Sequence, residues 1–175
     1  MSLVRVLETE RLRLRAFRED DLDGFAAFWA DDESARFVGG VCGRDDAWRR
    51  MAMFMGHWAL RGFGFWALEE KASGAFAGYC GLFEPEGWPA RELGWSLVRA
   101  SRGRGYATEA AGRAREHAYR DLGWTTLVSF INPDNHPSIR IAEQLGARRE
   151  GPIELRGKMT VLWRHPGPAD LSKDT

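Results

Sequence analysis

The densest chemical signal in the chain is Val98-Arg-Ala-Ser-Arg-Gly-Arg-Gly-Tyr-Ala-Thr-Glu-Ala110, where a strand pattern gives way to a glycine-rich loop and then a helix. The first N–H groups of a helix have no intrahelical acceptor, and the macrodipole adds partial positive charge there. Gly103 and Gly105 put no side chain between those amides and an approaching phosphate, and Arg102 and Arg104 add charge beside them. The stretch reads either as a phosphate cradle or as a plain turn with two solvated arginines. Two other cradles do not fit: GxxxxGK is absent, and the third glycine of GxGxxG is missing. Other reactive types are scattered. His57, His117, His136 and His165 fit no metal-ligand spacing, so no metal is expected. Gly94-Trp-Ser-Leu-Val98 lacks the last glycine of a nucleophile elbow.

A scaffold must hold that loop. With 175 residues, 44% hydrophobic and 29% charged, the chain has the size and composition of one globular domain rather than a disordered or fibrous protein. Twenty-five basic and 25 acidic residues cancel, so no global field attracts nucleic acid or an anionic membrane. No apolar run is long enough to span a bilayer. Cys42 and Cys80 form no CxxC, which fits a reducing compartment, and the N-terminus lacks a signal-peptide core. A cytoplasmic location is expected.

Strict alternation over Glu10–Phe17 predicts a strand with Leu12, Leu14 and Ala16 inward and Arg11, Arg13 and Arg15 outward. Asp20, Asp21 and Asp23 offer a cap and first-turn acids for a helix to about Ala30. A second helix is expected from Asp45 or Asp46 to about Leu60, with Trp48, Met51, Met55 and Trp58 on its apolar face. Strands follow at Phe63–Glu69, Gly74–Phe83 and Arg91–Val98. Next come a helix over Tyr106–Arg120, a strand over Trp124–Ile131, a helix over Ser138–Leu145 and a hairpin of Ala147–Leu155 with Lys158–Arg164. Ala107, Ala110, Ala111, Ala114 and Ala118 give the long helix a face that can approach a sheet closely. The order implies an α/β (α+β) fold. It is a mixed, mostly antiparallel twisted sheet of six to seven strands flanked by about four helices. Residues 1–165 form the domain and 166–175 a frayed tail.

Arg102-Gly-Arg-Gly-Tyr-Ala107 resembles the Q/R-x-x-G-x-G/A loop of the GNAT superfamily of acyl-CoA N-acyltransferases. Asn135-His-Pro-Ser-Ile-Arg-Ile-Ala-Glu-Gln-Leu-Gly146 and Thr9-Glu-Arg-Leu-Arg-Leu-Arg-Ala-Phe17 are similar to the subfamily of ribosomal-protein N-terminal alanine acetyltransferases. The resemblance spans about residues 8 to 165. It implies that backbone amides from Arg102 through Gly103, Arg104, Gly105 and Tyr106 to Ala107 hold the pyrophosphate of acetyl-CoA. It also implies that Leu97-Val98-Arg99 pairs with the pantetheine arm, entering where this strand splays from the next, and that Asn135 hydrogen-bonds the arm. Asn135 could instead simply form the turn of its Pro-flanked loop.

The implied reaction is attack of a neutral primary amine on a thioester, with positioning supplying much of the rate. The N–H of Val98 or a neighbour is the expected oxyanion donor. Glu92 is the expected general base, acting through water, or else an ion-pair partner that only solubilises its strand. The position where many superfamily members carry an acidic Tyr is Ala142, so Ser138 is the substitute acid unless it caps its helix. Trp29, Trp66 and Trp95 could line an acceptor pocket or the core. The implied acceptor is a protein or peptide N-terminus, with a small amine (aminoglycoside, polyamine or amino-acid derivative) as the alternative. A non-catalytic acyl-CoA-binding module is a further one. A ribosome- or RNA-binding role for Arg99, Arg102, Arg104, Arg113 and Arg115 is opposed by the zero net charge. Either a monomer or a homodimer is compatible with the sequence.

Overall fold

The computed structural model describes residues 4–171. Its strands are β1 (Leu7–Glu8), β2 (Leu12–Arg15), β3 (Phe65–Glu70), β4 (Phe76–Phe83), β5 (Glu92–Leu97), β6 (Val128–Ile131), β7 (Arg148–Leu155) and β8 (Lys158–Arg164). The helices are α1 (Leu22–Ala30), α2 (Asp32–Ala35), α3 (Arg44–Arg61), α4 (Tyr106–Arg120), α5 (His136–Gln144) and α6 (Pro168–Leu171). The strands form one sheet in the order β1-β2-β3-β4-β5-β6-β8-β7, antiparallel throughout except for the parallel pair β5–β6. Eight strands replace the expected six to seven, because β1 is too short to leave an alternation signal. Within the expected tail, Gly167 N–H donates to Asp170 and a helical turn forms at α6. Residues 172–175 lie outside the described residues.

Both sheet faces are covered. Leu12, Leu14, Trp66, Leu68, Leu82 and Leu93 pack against the alanine face of α4. On the other face Ala67 and Tyr79 meet the aromatic side chains of α1 and α3, including Phe25, Trp29 and Phe54. The small face of α4 is as the sequence reads: all five alanines are buried. On its polar side Glu116 pairs with Arg120, while Glu109 reaches across to Arg11 at 2.7 Å.

Two local expectations need correction. The buried face of α3 is Ala47, Met51, Phe54 and Trp58, whereas Trp48 and Met55 are each 47% exposed. The helix is rotated so that Phe54, rather than Trp48, enters the aromatic cluster, where its ring centroid lies 4.8 Å from that of Phe65. Arg15 is buried rather than outward. Its guanidinium bridges Asp21 and Glu69, both at 2.7 Å, and Asp21 serves this network and the Arg18 N–H rather than solvent. The Arg15 hydrogen bond holds the Glu69 carboxyl below the usual carboxylate range.

The sheet is split at its centre. Beyond the single register pair Glu92–Val128, β5 and β6 diverge. On its other edge β5 stays fully paired with β4. Gly78 makes that pairing close, since at its φ of 139° a Cβ would collide with the Ser96 carbonyl. The split therefore opens on the β6 side only, beside the start of α4.

Candidate active site

Gly103 and Gly105 have φ of 71° and 79°, the left-handed region that favours glycine, and Gly105 caps α4. A Cβ at Gly103 would meet nothing within 4 Å, so the loop backbone is open to a ligand. The loop is held from outside. The Arg104 carbonyl accepts from Arg11 at 2.8 Å, and the Arg104 side chain reaches Glu70 at 2.7 Å. Tyr106 is buried, with Arg11 and Arg104 each 4.7 Å from its ring centroid, and its hydroxyl donates to Glu70. Arg102 turns towards α2, donating to Ser34 Oγ at 2.5 Å, to Glu33 at 3.3 Å and to the Leu97 carbonyl at 3.3 Å. Arg99 pairs with Asp31 and Glu33. Arg113 pairs with Glu116, and Arg115 donates to the Leu145 carbonyl. The five arginines considered for RNA are thus engaged within the chain rather than forming a free basic patch.

The Val98 N–H donates to the Ala77 carbonyl at 3.1 Å and is used within the sheet. It is therefore not free to meet an oxyanion in this arrangement. Strand groups alternate sides, so the N–H groups of Trp95 and Leu97 face the split instead. The neighbour considered beside Val98 is thus Leu97.

Two cavities meet at this split. The first, about 530 Å³, lies under the loop and is lined by Leu97, Arg102, Gly103, Gly105, Ala107 and Thr108 on one side. Residues of α5 complete it, with Asn135 and Ser138 at its inner end. The second, about 590 Å³, is lined by the aromatic side chains of Trp29, Phe54, Tyr79 and Trp88, and holds Glu92. Trp95, Ser96, Asn135 and Ser138 belong to both, as do Arg36, Phe37 and Val38. Loop, strand and α5 residues are thus brought together around one passage.

Glu92 is half-buried and makes no ion pair with Arg91, which turns to Glu84. Its Oε2 accepts from Trp88 Nε1 at 2.8 Å. Burial pushes its carboxyl up to about 7, the Trp88 bond opposing this. A carboxyl at that value is well matched to accept a proton near neutral pH.

Asn135, not Ser138, caps α5: its Oδ1 accepts from the Ser138 N–H at 3.3 Å. Its amide NH₂ stays free to donate into the cavities. The Ser138 hydroxyl bonds no protein group among the described residues. Ala142 is fully buried, so the position considered for a tyrosine acid faces the core. Trp29 and Trp95 line the second cavity, whereas Trp66 is core, its Nε1 donating to the Arg5 carbonyl. Sequence reasoning missed Tyr79, Arg50 and Trp88 on the walls of that cavity. Tyr79 is buried, which pushes its phenol up and keeps it protonated. No local spacing marked these residues, because each comes from a different element.

A family model described as acetyltransferase (GNAT) domain matches residues 11–148. The structure is similar to the acetyltransferase from Agrobacterium tumefaciens str. C58, with TM-score 0.84, 31% identity, and coverage of 93% of this chain and 94% of that one. The uncharacterized N-acetyltransferase p20 of Bacillus licheniformis is 27% identical over 152 residues, 85% of each chain. RimL, a ribosomal alpha-N-protein acetyltransferase solved in complex with coenzyme A, has TM-score 0.77 at 16% identity, covering 95% of this chain and 100% of the other. At that identity the likeness is one of fold.

Proposed function

Since the chain belongs to the GNAT acetyltransferase family, we propose that it moves the acetyl group of acetyl-CoA to a primary amine held in the second cavity, by direct attack in a ternary complex. The observation that carries this reading is the meeting of two cavities at Trp95, Ser96, Asn135 and Ser138. One lies under the amide-rich start of α4, and the other holds a carboxyl with a raised pKa.

The residues present fit the cofactor. Left-handed glycines at the head of a 15-residue helix, Gly103 of them open, suit a pyrophosphate, and the β5 edge that β6 leaves beyond Glu92 suits an amide-bearing arm, with the Leu97 carbonyl there accepting from Arg102. Backbone amides from Arg102 to Ala107 would hold the pyrophosphate, Leu97 and Trp95 the arm, and the free Asn135 NH₂ a carbonyl of it. When bound, acetyl-CoA supplies an activated thioester. The Leu97 or Trp95 N–H would stabilise charge developing on the acyl oxygen. Glu92, ionised above its raised pKa, accepts the amine proton through one water. Ser138 would donate to the leaving sulfur. Little help is needed there, since a thiol of pKa about 8.5 departs readily near neutral pH. We assign the transferase domain to residues 1–165.

A protein or peptide N-terminus is the first acceptor class, supported by the fold likeness to RimL. A small amine is the second, favoured by a cavity volume of about 590 Å³, well within the size range of small-molecule sites. Calorimetric titration with acetyl-CoA, with NADPH as a phosphate-rich control, tests the cofactor half. Selective micromolar binding is expected, and equal binding of both would overturn it. Release of free CoA across an amine panel tests turnover, and binding without turnover would favour a non-catalytic module.

A further inference from the structure

Four basic side chains line the second cavity: Arg36, Arg50, Arg156 and Lys158. Most basic residues of this chain are paired with carboxylates, including Arg11, Arg99, Arg102 and Arg104 at the cofactor loop, whereas Arg36 also lines the first cavity. Among the described residues none of these four is so paired. The other three are exposed: Arg36 lies over Phe37, 4.7 Å from its ring centroid, Arg156 is in the β7–β8 turn and Lys158 opens β8. Arg50 is the most constrained of the four. It is half-buried on α3, with its guanidinium 4.2 Å above the Trp29 ring. Its position is fixed by stacking, and its planar fork has no acid to bind. Among the described residues the only acid lining the cavity is Glu92.

A cation kept half-buried and unpaired on a cavity wall is an arrangement that an anion completes. We infer that the acceptor is an amine that also carries a carboxylate, bound by Arg50 with Arg36, Arg156 and Lys158 supplying a positive surround. The assignment rests on the transferase reading above. It selects amino acids, or peptides beginning with an acidic residue, from the amine acceptors. It disfavours polyamines and aminoglycosides, whose several positive charges would face four unpaired cations. The planar guanidinium matches a carboxylate in bidentate fashion, which lysine would not. The aromatic walls at Trp29, Phe54 and Trp88 accommodate an apolar part of the same molecule.

The test uses matched acceptors with and without the carboxylate, with each rate referred to the neutral-amine fraction at the assay pH. Phenylalanine is compared with phenylalaninamide, an amide-capped peptide beginning with aspartate with its asparagine counterpart, and spermidine serves as the cationic case. Acid forms are expected to exceed their amides in kcat/KM by about 10- to 100-fold, the range of a charge-assisted pair. The advantage should shrink as salt rises. Which acid-bearing arm wins tells a free amino acid from a peptide source. Arg50→Met keeps the apolar stem over Trp29 and should bring the acid-to-amide ratio close to one, while Arg50→Lys restores only part of it. Equal rates within each pair, a preference for spermidine, or an unchanged ratio in Arg50→Met would overturn the inference. A binding measurement separates this from failure of the transferase reading. N-acetylphenylalanine should bind the wild-type chain more tightly than N-acetylphenylalaninamide even if no amine is turned over. Equal binding, or binding of neither, counts against the anion site itself.

Discussion

Replacing Glu92 with Gln should stabilise the protein while disabling it. The Glu92 carboxyl stands at about 7, against an ordinary value of 4.5, because burial penalises its charged form. At 1.36 kcal/mol per tenfold, the gap is worth up to about 3 kcal/mol. The sign follows from proton binding. Between pH 4.5 and 7 the folded chain holds a proton here that the unfolded chain has lost, so stability falls as pH rises through this window. Above pH 7 the full penalty applies, and below 4.5 it vanishes. Glutamine mimics the protonated form and can still accept from Trp88 Nε1. At pH 8 the variant should melt about 6 to 12 °C higher than wild type, and at pH 4.5 the two should coincide.

A wild-type melting curve alone would hide this effect. Burial pushes His165 down to about 3 from 6.5, so that group destabilises the fold as pH falls, opposing Glu92 between pH 4.5 and 6.5. The difference between variant and wild type isolates Glu92. In the same samples kcat should fall about 10²-fold, and its rise with pH near 7 should disappear. A melting difference independent of pH would refute the burial argument, and a wild-type rate and pH profile would refute the role as base.

Four further outcomes are expected. Ser138→Ala should leave the melting temperature within about 1–2 °C of wild type, because Asn135 caps the helix, while lowering kcat if the hydroxyl protonates the leaving group. Asn135→Ala should cost about 1 kcal/mol as a lost cap and also raise the KM for acetyl-CoA, measured by steady-state kinetics at saturating acceptor. Gly103→Val meets no neighbour but forces a branched side chain to a φ of 71°, so calorimetry should show acetyl-CoA binding weakened by tenfold or more, with about 1–2 kcal/mol lost in stability. Arg15→Met should destabilise by about 3–5 kcal/mol in urea unfolding, since it leaves Asp21 and Glu69 buried without their cation.

The cofactor half of the site was legible because it is local. One loop, Arg102–Ala107, and the helix it opens carry their own geometry in glycine spacing and alanine periodicity. What lay beyond was set by distant partners. Arg15 alternates like an outward residue and becomes inward only because Asp21 and Glu69 converge on it. Trp48, Met51, Met55 and Trp58 satisfy helical spacing as well as the real face does, and only the aromatic cluster around Phe54 and Phe65 decides between them. Val98 sits at the end of β5, where the choice between an open and a paired amide depends on which neighbour, β4 or β6, the N–H faces.

The acceptor cavity is the extreme case of that dependence. Trp29 comes from α1, Arg50 from α3, Tyr79 from β4, Glu92 from β5 and Lys158 from β8, so no window of sequence contains the site. The zero net charge was informative about the protein's exterior and silent about this cavity. Acids elsewhere are used in pairs with arginines, such as Asp31 and Glu33 with Arg99 or Glu109 with Arg11. That pairing leaves the cations facing the cavity without a partner while the total still cancels. A global sum constrains long-range steering, but recognition at a site depends on which charges the fold has left unpaired there. On that ground the unpaired guanidinium of Arg50 says more about the acceptor than the composition of the whole chain.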